Sequence, residues 1–325
     1  MARKSMIQAI NDALHIMMTE DESVLVLGQD VGEDGGVFRA TVDLIEKYGP
    51  ERVVDMPLAE SLIVGSAIGM AMNGLKPVAE IQFMGFIYQG FDQTLCHAAR
   101  YRHRSRGRFG LPMVVRAPYG AGVRALEHHS ESTEVHFASV PGLKVVIPST
   151  AYDAKGLLIS AIEDPDPVMF FEPKRLYRLK KEEVPSEKYT ITIGKAHIAR
   201  EGADITIIAW GGMMPIALAA AEHVADEGVE AEVIDLRTIQ PFDVETITAS
   251  VAKTGRLVIV HEAPRLFGPG AEIATQVYER NLLHLLAPIA RVTGYDIVPP
   301  MARAEDFNYP NREKIVKAIY KTMEF

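Results

Sequence analysis

Short runs of β-branched and aliphatic residues alternate with amphipathic helical patterns along the whole chain, which constrains the fold most strongly. The first half contains six candidate strands, at residues 24–27, 52–54, 77–82, 113–116, 143–147 and 168–171. Between them, apolar residues recur at helical spacing, as at Ile7, Ile10 and Leu14 and again at Ala154, Leu157 and Leu158. Strands that alternate with crossover helices predict an α/β fold whose mostly parallel sheet is covered by helices on both faces.

A second unit of the same kind follows. The charged, proline-bearing stretch 179–201 breaks the alternation and predicts an exposed linker. After it come candidate strands at 205–209, 232–235, 257–260 and 290–293, with helices near 215–226, 244–252, 270–283 and 312–323. Because 325 residues exceed one typical core, we expect two α/β domains, at residues 1–190 and 191–325.

Composition excludes several classes of protein. The formal net charge is −9, and no basic stripe suggests binding to nucleic acid. No apolar stretch predicts a membrane span or a signal peptide. The chain is therefore expected to be cytoplasmic. A lone cysteine, Cys96, excludes an internal disulfide framework, and its apolar neighbours Phe91 and Leu95 predict a core thiol. The basic run 100–106 fits a solvated helix end, a subunit contact or an anion site.

A carboxylate stands where a loop enters an apolar helix. Residues 55–61 read DMPLAES and lead into LIVGSAIGM at 62–70. Such a helix is expected to be buried, so Glu60 at its start would be partly desolvated and more easily protonated. The alternative is a simple capping role, since acidic residues favour the first turn of a helix.

These residues resemble a known family when they are taken in order with others. The additional segments are GGVFRAT at 35–41, KPVAEIQF at 76–83, PGLKVV at 141–146, YDAKGLL at 152–158 and EVIDLRT at 232–238. Together they resemble the β subunit of the thiamin-diphosphate-dependent 2-oxo acid dehydrogenases. The resemblance implies a transketolase-like pyrimidine-binding domain followed by a transketolase C-terminal-type domain.

The resemblance also implies roles for residues near Glu60. In this family a glutamate hydrogen-bonds a pyrimidine nitrogen of thiamin diphosphate, so that the cofactor can activate its own thiazolium carbon; Glu60 is the matching residue. An aromatic side chain at the position of Phe86 packs on the pyrimidine ring. Gln82 is a candidate polar contact to the cofactor or to its neighbours, whereas Phe83 fits a core residue.

A histidine pair follows a glycine-bearing loop at Gly120 and Gly122. His128 and His129 have no third ligand at zinc-like spacing, which leaves a subunit contact or acid–base chemistry. In the family, the histidine directly before the serine assists acyl transfer to lipoamide, and that position is His129 here.

Two further features depend on the resemblance. Related subunits hold a structural monovalent cation, and the matching positions here are Met113, Ala161, Asp164 and Asp166, where hard oxygen ligands suit K⁺. From the sequence alone, the two aspartates equally fit a turn before Pro167. Where the family usually has glutamate, this chain has Gln29, which cannot ionise and makes a proton relay at this position doubtful.

The diphosphate half of a thiamin diphosphate site is missing. The family binds Mg²⁺ through a Gly-Asp-Gly motif that this chain lacks. The resemblance therefore implies an assembly of two α and two β chains, in which the α subunit supplies the Mg²⁺ site. It also implies a lipoyl-bearing dihydrolipoyl acyltransferase as partner, and the terminal residues Glu324 and Phe325 are candidate contacts. The second unit shows no catalytic constellation of its own.

The predicted reaction is oxidative decarboxylation of a 2-oxo acid with acyl transfer to a lipoyl group. Segments 90–93 and 170–178 resemble the branched-chain enzymes of the family more than the pyruvate enzymes, so branched-chain substrates are the first reading. Pyruvate, or both substrates together, is the second reading, and acetoin cleavage is the third. A non-catalytic nucleotide-binding module lacks a Gly-x-Gly-x-x-Gly turn or a phosphate-binding lysine motif. A one-chain transketolase-like enzyme would need the diphosphate motif that is missing here.

Overall fold

The computed structural model describes residues 1–325 and contains two large, mostly parallel sheets. Its strands are β1 Ala2–Lys4, β2 Val24–Gly28, β3 Val53–Asp55, β4 Lys76–Glu80, β5 Val114–Tyr119, β6 Lys144–Val146, β7 Val168–Pro173, β8 Glu182–Val184, β9 His197–Arg200, β10 Ile205–Ala209, β11 Ala231–Asp235, β12 Thr238–Gln240, β13 Leu257–Pro264 and β14 Ala290–Gly294. The first sheet has the order β12-β6-β7-β5-β4-β2-β3, and all its pairs are parallel except β12 with β6. The α/β prediction is confirmed.

Helices cover both faces of the first sheet. The helices of the chain are α1 Met6–Glu20, α2 Leu44–Tyr48, α3 Glu60–Met72, α4 Tyr101–Arg104, α5 Glu134–Ala138, α6 Ala151–Glu163, α7 Met214–Ala225, α8 Val244–Thr254, α9 Pro269–Asn281, α10 Glu305–Asn308 and α11 Arg312–Met323. Helix α1 begins with a capping box in which the Ser5 main-chain N–H donates to Gln8 Oε1 at 3.0 Å. Its apolar stripe packs with α6 over the sheet.

The second sheet has the order β14-β13-β10-β11-β9, with α7 and α11 on one face and α8 and α9 on the other. Its four parallel strands, β10, β11, β13 and β14, agree with the predicted ones. The antiparallel edge strand β9 was not predicted, because its residues are half-buried or exposed and show no apolar run. None of the helices in the chain combines the length and the apolar character that crossing a membrane requires.

The stretch 179–201 is not the plain exposed linker that its charge predicted. Within it, β8 pairs antiparallel with β1, and Val184 is fully buried. Lys155 donates to the main-chain oxygen of Pro185 at 2.6 Å. The charged residues of this stretch gave no sign of these contacts, because β8 forms by pairing with β1 at the start of the chain. A domain boundary near residue 190 remains a prediction.

Two predictions about burial are wrong for the single chain. Only one side of α3 is buried, through residues such as Ile63, Val64 and Ala67, whereas Leu62 and Met72 are exposed by 48 % and 53 %. Cys96 is half-buried rather than in the core, because it lies in a π-helical segment, Gln93–Ala98, that changes the α-helical register. The open side of α3 consists of small and apolar residues and includes Ser61, Gly65, Ser66 and Gly69.

Candidate active site

The candidate site lies at the carboxyl edge of the first sheet. Four adjacent strands, in the order β7-β5-β4-β2, end side by side there. Lys174 follows β7, the histidine loop follows β5, Gln82 follows β4 and Asp30 follows β2. In open parallel sheets this edge is where ligands bind.

Glu60 occupies the first position of α3. The helix is capped at Ala59 without a side-chain hydrogen bond, and the Glu60 carboxylate forms none within the chain. The side chain is half-buried, so the expected burial is only partial in a single chain. The helix packs against the 3₁₀ segment Met84–Gly90, and a Cβ atom at Gly90 would lie 3.3 Å from the Glu60 main-chain oxygen. The Glu60 carboxylate is therefore without a hydrogen-bond partner, and Glu60 lies beside the segment that carries Phe86.

Aromatic rings join Phe86 to His129. The Phe86 ring lies 5.3 Å from the His129 ring at 81°, and the Phe83 ring lies 4.4 Å from it at 70°. Phe83 also meets Phe86 edge-on at 5.6 Å, so the three rings form one cluster. All three side chains are half-buried. The fold thus brings together two predicted site residues separated by 43 positions in the chain.

The two neighbouring histidines have different surroundings. His128 Nδ1 lies 3.4 Å from the main-chain oxygen of Gly85. The two main chains are also close together, since a Cβ atom added at Gly85 would lie 2.1 Å from the His128 main-chain oxygen. His129 Nδ1 is buried and has no hydrogen-bond partner. Burial lowers the pKa of His129, with a further contribution from the nearby charge of Lys174. At neutral pH His129 is therefore neutral and able to accept a proton.

Gln82 is held by the end of β2. Its Nε2 donates to Asp30 Oδ2 at 2.7 Å, and Asp30 adopts a left-handed conformation at φ 58°. Gln29, next to Asp30, is half-buried at the same strand end. The amide nitrogen of Gln82 is thus used within the chain, which favours a supporting role over a direct one.

A buried ion triad underlies this strand edge. Arg116 Nε and Nη2 each donate to Glu172 at 2.7 Å, and Nη1 donates to Glu80. Tyr177 donates its hydroxyl to Glu172 as well. The three charged residues belong to the adjacent strands β4, β5 and β7, so the triad fixes their ends relative to one another. The sequence analysis did not single out this triad.

The residues matched to a structural cation surround a turn held by ion pairs. Asp164 accepts from Lys144 Nζ at 2.6 Å, and Asp166 pairs with Arg102 Nε at 2.6 Å. The Met113 main-chain oxygen accepts from Val168 at 3.0 Å, and Ala161 is buried in α6. The structure contains no cluster of three or more histidine, cysteine or acidic residues arranged for a metal ion. K⁺ at this turn remains a prediction.

Comparisons with known proteins cover the whole chain. Residues 2–180 match the family described as "Transketolase, pyrimidine binding domain", and residues 194–315 match "Transketolase, C-terminal domain". The pyruvate dehydrogenase E1 component subunit beta of Acholeplasma laidlawii is 56 % identical over 321 residues, which are 99 % of this chain and 98 % of that protein. The proteins of the same name from Staphylococcus epidermidis (strain RP62A) and Bacillus subtilis are 51 % and 50 % identical over 100 % of both chains.

This chain belongs to the family of 2-oxo acid dehydrogenase E1 β subunits. The fold agrees with that of a split-gene transketolase solved as an inactive β4 tetramer, with a TM-score of 0.79, 23 % identity and 99 % coverage of both chains. The family is thiamin-diphosphate-dependent, and the resemblance inferred from the sequence is confirmed.

The site of this β subunit fits one half of that cofactor. It offers a carboxylate without a hydrogen-bond partner, a cluster of aromatic rings and a buried imidazole nitrogen without a partner. These groups suit an aminopyrimidine and thiazolium ring system. The Gly-Asp-Gly motif that the resemblance associates with Mg²⁺ is absent from the sequence.

Proposed function

We propose that this chain is the β subunit of a pyruvate-decarboxylating, lipoamide-dependent dehydrogenase. The observation that carries the proposal is the identity of 50–56 % over almost the full chain with relatives named pyruvate dehydrogenase. Branched-chain 2-oxo acids are the second candidate, and acetoin is the third.

Several residues of the segments that favoured a branched-chain substrate are engaged within the chain itself. Phe170 and Phe171 are fully buried within β7, and Glu172 is paired with Arg116. A Cβ atom at Gly90 would come within 2.8 Å of Val64, so this glycine serves helix packing. These four residues serve packing or an internal ion pair, so the similarity to relatives named pyruvate dehydrogenase is the stronger argument.

The chain supplies the pyrimidine half of a shared active site. A partner α subunit would provide the Mg²⁺ and diphosphate half, in an assembly of two α and two β chains. The open side of α3, with exposed Leu62 near Glu60 and exposed Met72 at the far end of the helix, is the surface that such a partner would cover. Covering it would exclude water from Glu60.

The residues of this chain then have distinct tasks. Thiamin diphosphate, when bound, supplies a nucleophilic carbon for the 2-oxo acid and takes up the electrons released with carbon dioxide. Glu60 holds a proton at the pyrimidine nitrogen, and Phe86 orients the ring by packing against it. Gln82, whose Nε2 donates to Asp30, has a supporting role beside the site. His129, neutral at neutral pH, moves a proton while the acyl group passes to a lipoyl group of the acyltransferase.

The substrate assignment can be tested with the reconstituted complex. The chain is expressed together with an α subunit of the same family, and oxidation of each compound is followed with an artificial electron acceptor. We expect pyruvate to give the highest kcat/KM, above 4-methyl-2-oxopentanoate and acetoin. A preference for either of the other two compounds would overturn the pyruvate assignment.

The role of Glu60 can be tested by substitution. Glu60→Gln keeps the size of the side chain but cannot hold an exchangeable carboxyl proton, so turnover should fall about 10²–10⁴-fold. Glu245→Gln, in the exposed first turn of α8, is the matched control and should leave the rate unchanged. A Glu60→Gln complex that retains more than a tenth of the wild-type rate would contradict the assignment.

A further inference from the structure

The loop that carries the histidine pair is held closed at its base. It runs from Gly120 to Glu131, and the Gly120 main-chain N–H donates to the Glu131 oxygen at 2.8 Å. Gly120, Gly122 and Arg124 adopt left-handed conformations at φ 78°, 113° and 51°. These turns direct successive main-chain N–H groups of the loop towards the second sheet.

Two carboxylates from the C-terminal half accept those N–H groups. Glu262, on β13, accepts from Ala121 at 2.8 Å. Glu305, on α10, accepts from Gly122 at 2.8 Å with one oxygen and from Arg124 at 3.0 Å with the other. Both carboxylates are more than 95 % buried. Hydrogen bonds from main-chain N–H groups to an ionised carboxylate are among the stronger ones in proteins.

Further contacts complete this attachment. Lys174, which is 5 % exposed, donates to the Gly120 main-chain oxygen and lies close to both carboxylates as their countercharge. Burial lowers the pKa of Lys174 to about 8, while Glu262 and Glu305 oppose that shift. Tyr309 donates its hydroxyl to the Ser130 main-chain oxygen at 2.9 Å, directly after His129.

His129 depends on this attachment for its position. Its Nδ1 has no hydrogen-bond partner, so no side chain fixes the orientation of the ring through that atom. Only edge-on contacts with Phe83 and Phe86 restrain the ring from the other side. The position of the imidazole therefore depends on the main chain of the loop. The loop is in turn held by its hydrogen bonds to Glu262, Glu305 and Tyr309 of the C-terminal half.

We propose that Glu262 and Glu305 are positioning residues for acyl transfer, which hold the loop of His129 against the active site from the C-terminal half of the chain. This inference rests on the proposed function for its catalytic part. It gives the second α/β unit a direct part in the chemistry of the first.

The first test measures the loop itself. Hydrogen exchange of residues 121–125 is followed by mass spectrometry in the assembled complex, for wild type, Glu305→Gln and Asp306→Asn. In Glu305→Gln the new amide side chain can accept only one of the two N–H bonds, so exchange should become about tenfold faster. Asp306 contacts only the exposed Arg124 side chain, at 2.6 Å, so its variant should exchange like wild type. Unchanged exchange in Glu305→Gln would overturn the proposal.

The second test separates positioning from general stability. In Glu305→Gln, acyl transfer to a lipoyl domain should fall at least about tenfold more than decarboxylation measured with an artificial acceptor. Tyr309→Phe, which removes one hydroxyl, should shift the same ratio in the same direction by a smaller factor. Because Tyr309→Phe removes a single atom, it tests the idea even if Glu305→Gln folds poorly.

The outcomes distinguish the two proposals. Equal losses in both assays would overturn the positioning role even if exchange increased. A wild-type complex inactive towards all three candidate substrates would refute the proposed function, while the exchange data would still decide whether the carboxylates hold the loop.

Discussion

Arg116→Met tests how the strand ends beneath the site are held together. The Arg116 side chain is 1 % exposed and lies between Glu80 and Glu172, which are 3 % and 0 % exposed. It is bidentate to Glu172, with both distances 2.7 Å. Methionine keeps most of the apolar packing of the arginine stem, so the substitution mainly removes the positive charge from two buried carboxylates.

The expected loss is large and depends on pH. Removing one partner of a buried ion pair lowers the free energy of unfolding by about 3–5 kcal/mol, and here two carboxylates, Glu80 and Glu172, lose their countercharge. Burial raises the pKa of Glu80 while Arg116 opposes the shift, so the variant should raise it further. Because its folded pKa lies above the unfolded value of about 4.3, folding takes up a proton. The free energy of unfolding should therefore fall as pH rises above that value, by up to about 1.4 kcal/mol per pH unit for each proton.

Urea unfolding followed by circular dichroism at pH 5.5 and pH 8 measures both effects. Arg102→Met is the matched control, because its ion pair with Asp166 is 44 % exposed on the arginine side and should contribute at most about 1 kcal/mol. Adding Glu172→Gln to Arg116→Met should recover part of the loss. The reasoning is refuted if Arg116→Met costs no more than the control, or if its cost is the same at both pH values.

Three further substitutions test the site and its partner surface. His129→Ala should reduce acyl transfer to lipoyl domains more than decarboxylation with an artificial acceptor, and equal losses, or an effect of His128→Ala alone, would contradict this. Gln29→Glu should leave the steady-state rate within about threefold, because Glu60 is intact. It should make the two sites of the tetramer differ more in their affinity for thiamin diphosphate, which a stepwise titration measures. A titration identical to wild type would argue against coupling through this position. Leu62→Glu places a charge on the open side of α3, where the side chain is 48 % exposed, so the chain should fold but no longer co-purify with the α subunit, and a normal complex would contradict the proposed interface.

The fold was predictable because its central strands carry a local signal. Strands buried on both faces, such as β2 and the first half of β13, consist of continuous aliphatic runs, and helices such as α11 show a clear apolar stripe. Elements that lack such a stripe were missed. Strands β8 and β12 are three residues long, and each pairs with a distant part of the chain.

The site was predictable in part. Glu60, Phe86 and His129 are proposed from the family resemblance, and no spacing in the sequence shows that Phe86 lies beside His129. The exposure of one side of α3 could not be foreseen from the sequence, because its run of small and apolar residues resembles that of a core helix in composition. Glu262 and Glu305 were missed because each accepts bonds from residues more than 140 positions away and no local motif marks such a contact.

The short strand β12 has a consequence for how the molecule can move. Thr238–Gln240 lies beyond β11 of the second sheet, yet it pairs with β6 at the edge of the first. Because β12 comes from the C-terminal half, a hinge motion that separates the two halves would break its pairing with β6. The main-chain N–H and C=O groups of β6 would then lose their partners, so such a motion is unfavourable. We therefore expect substrate to enter through motion of the loops or of the partner subunit. For the same reason, a fragment that ends before β12 would present a bare sheet edge and tend to aggregate.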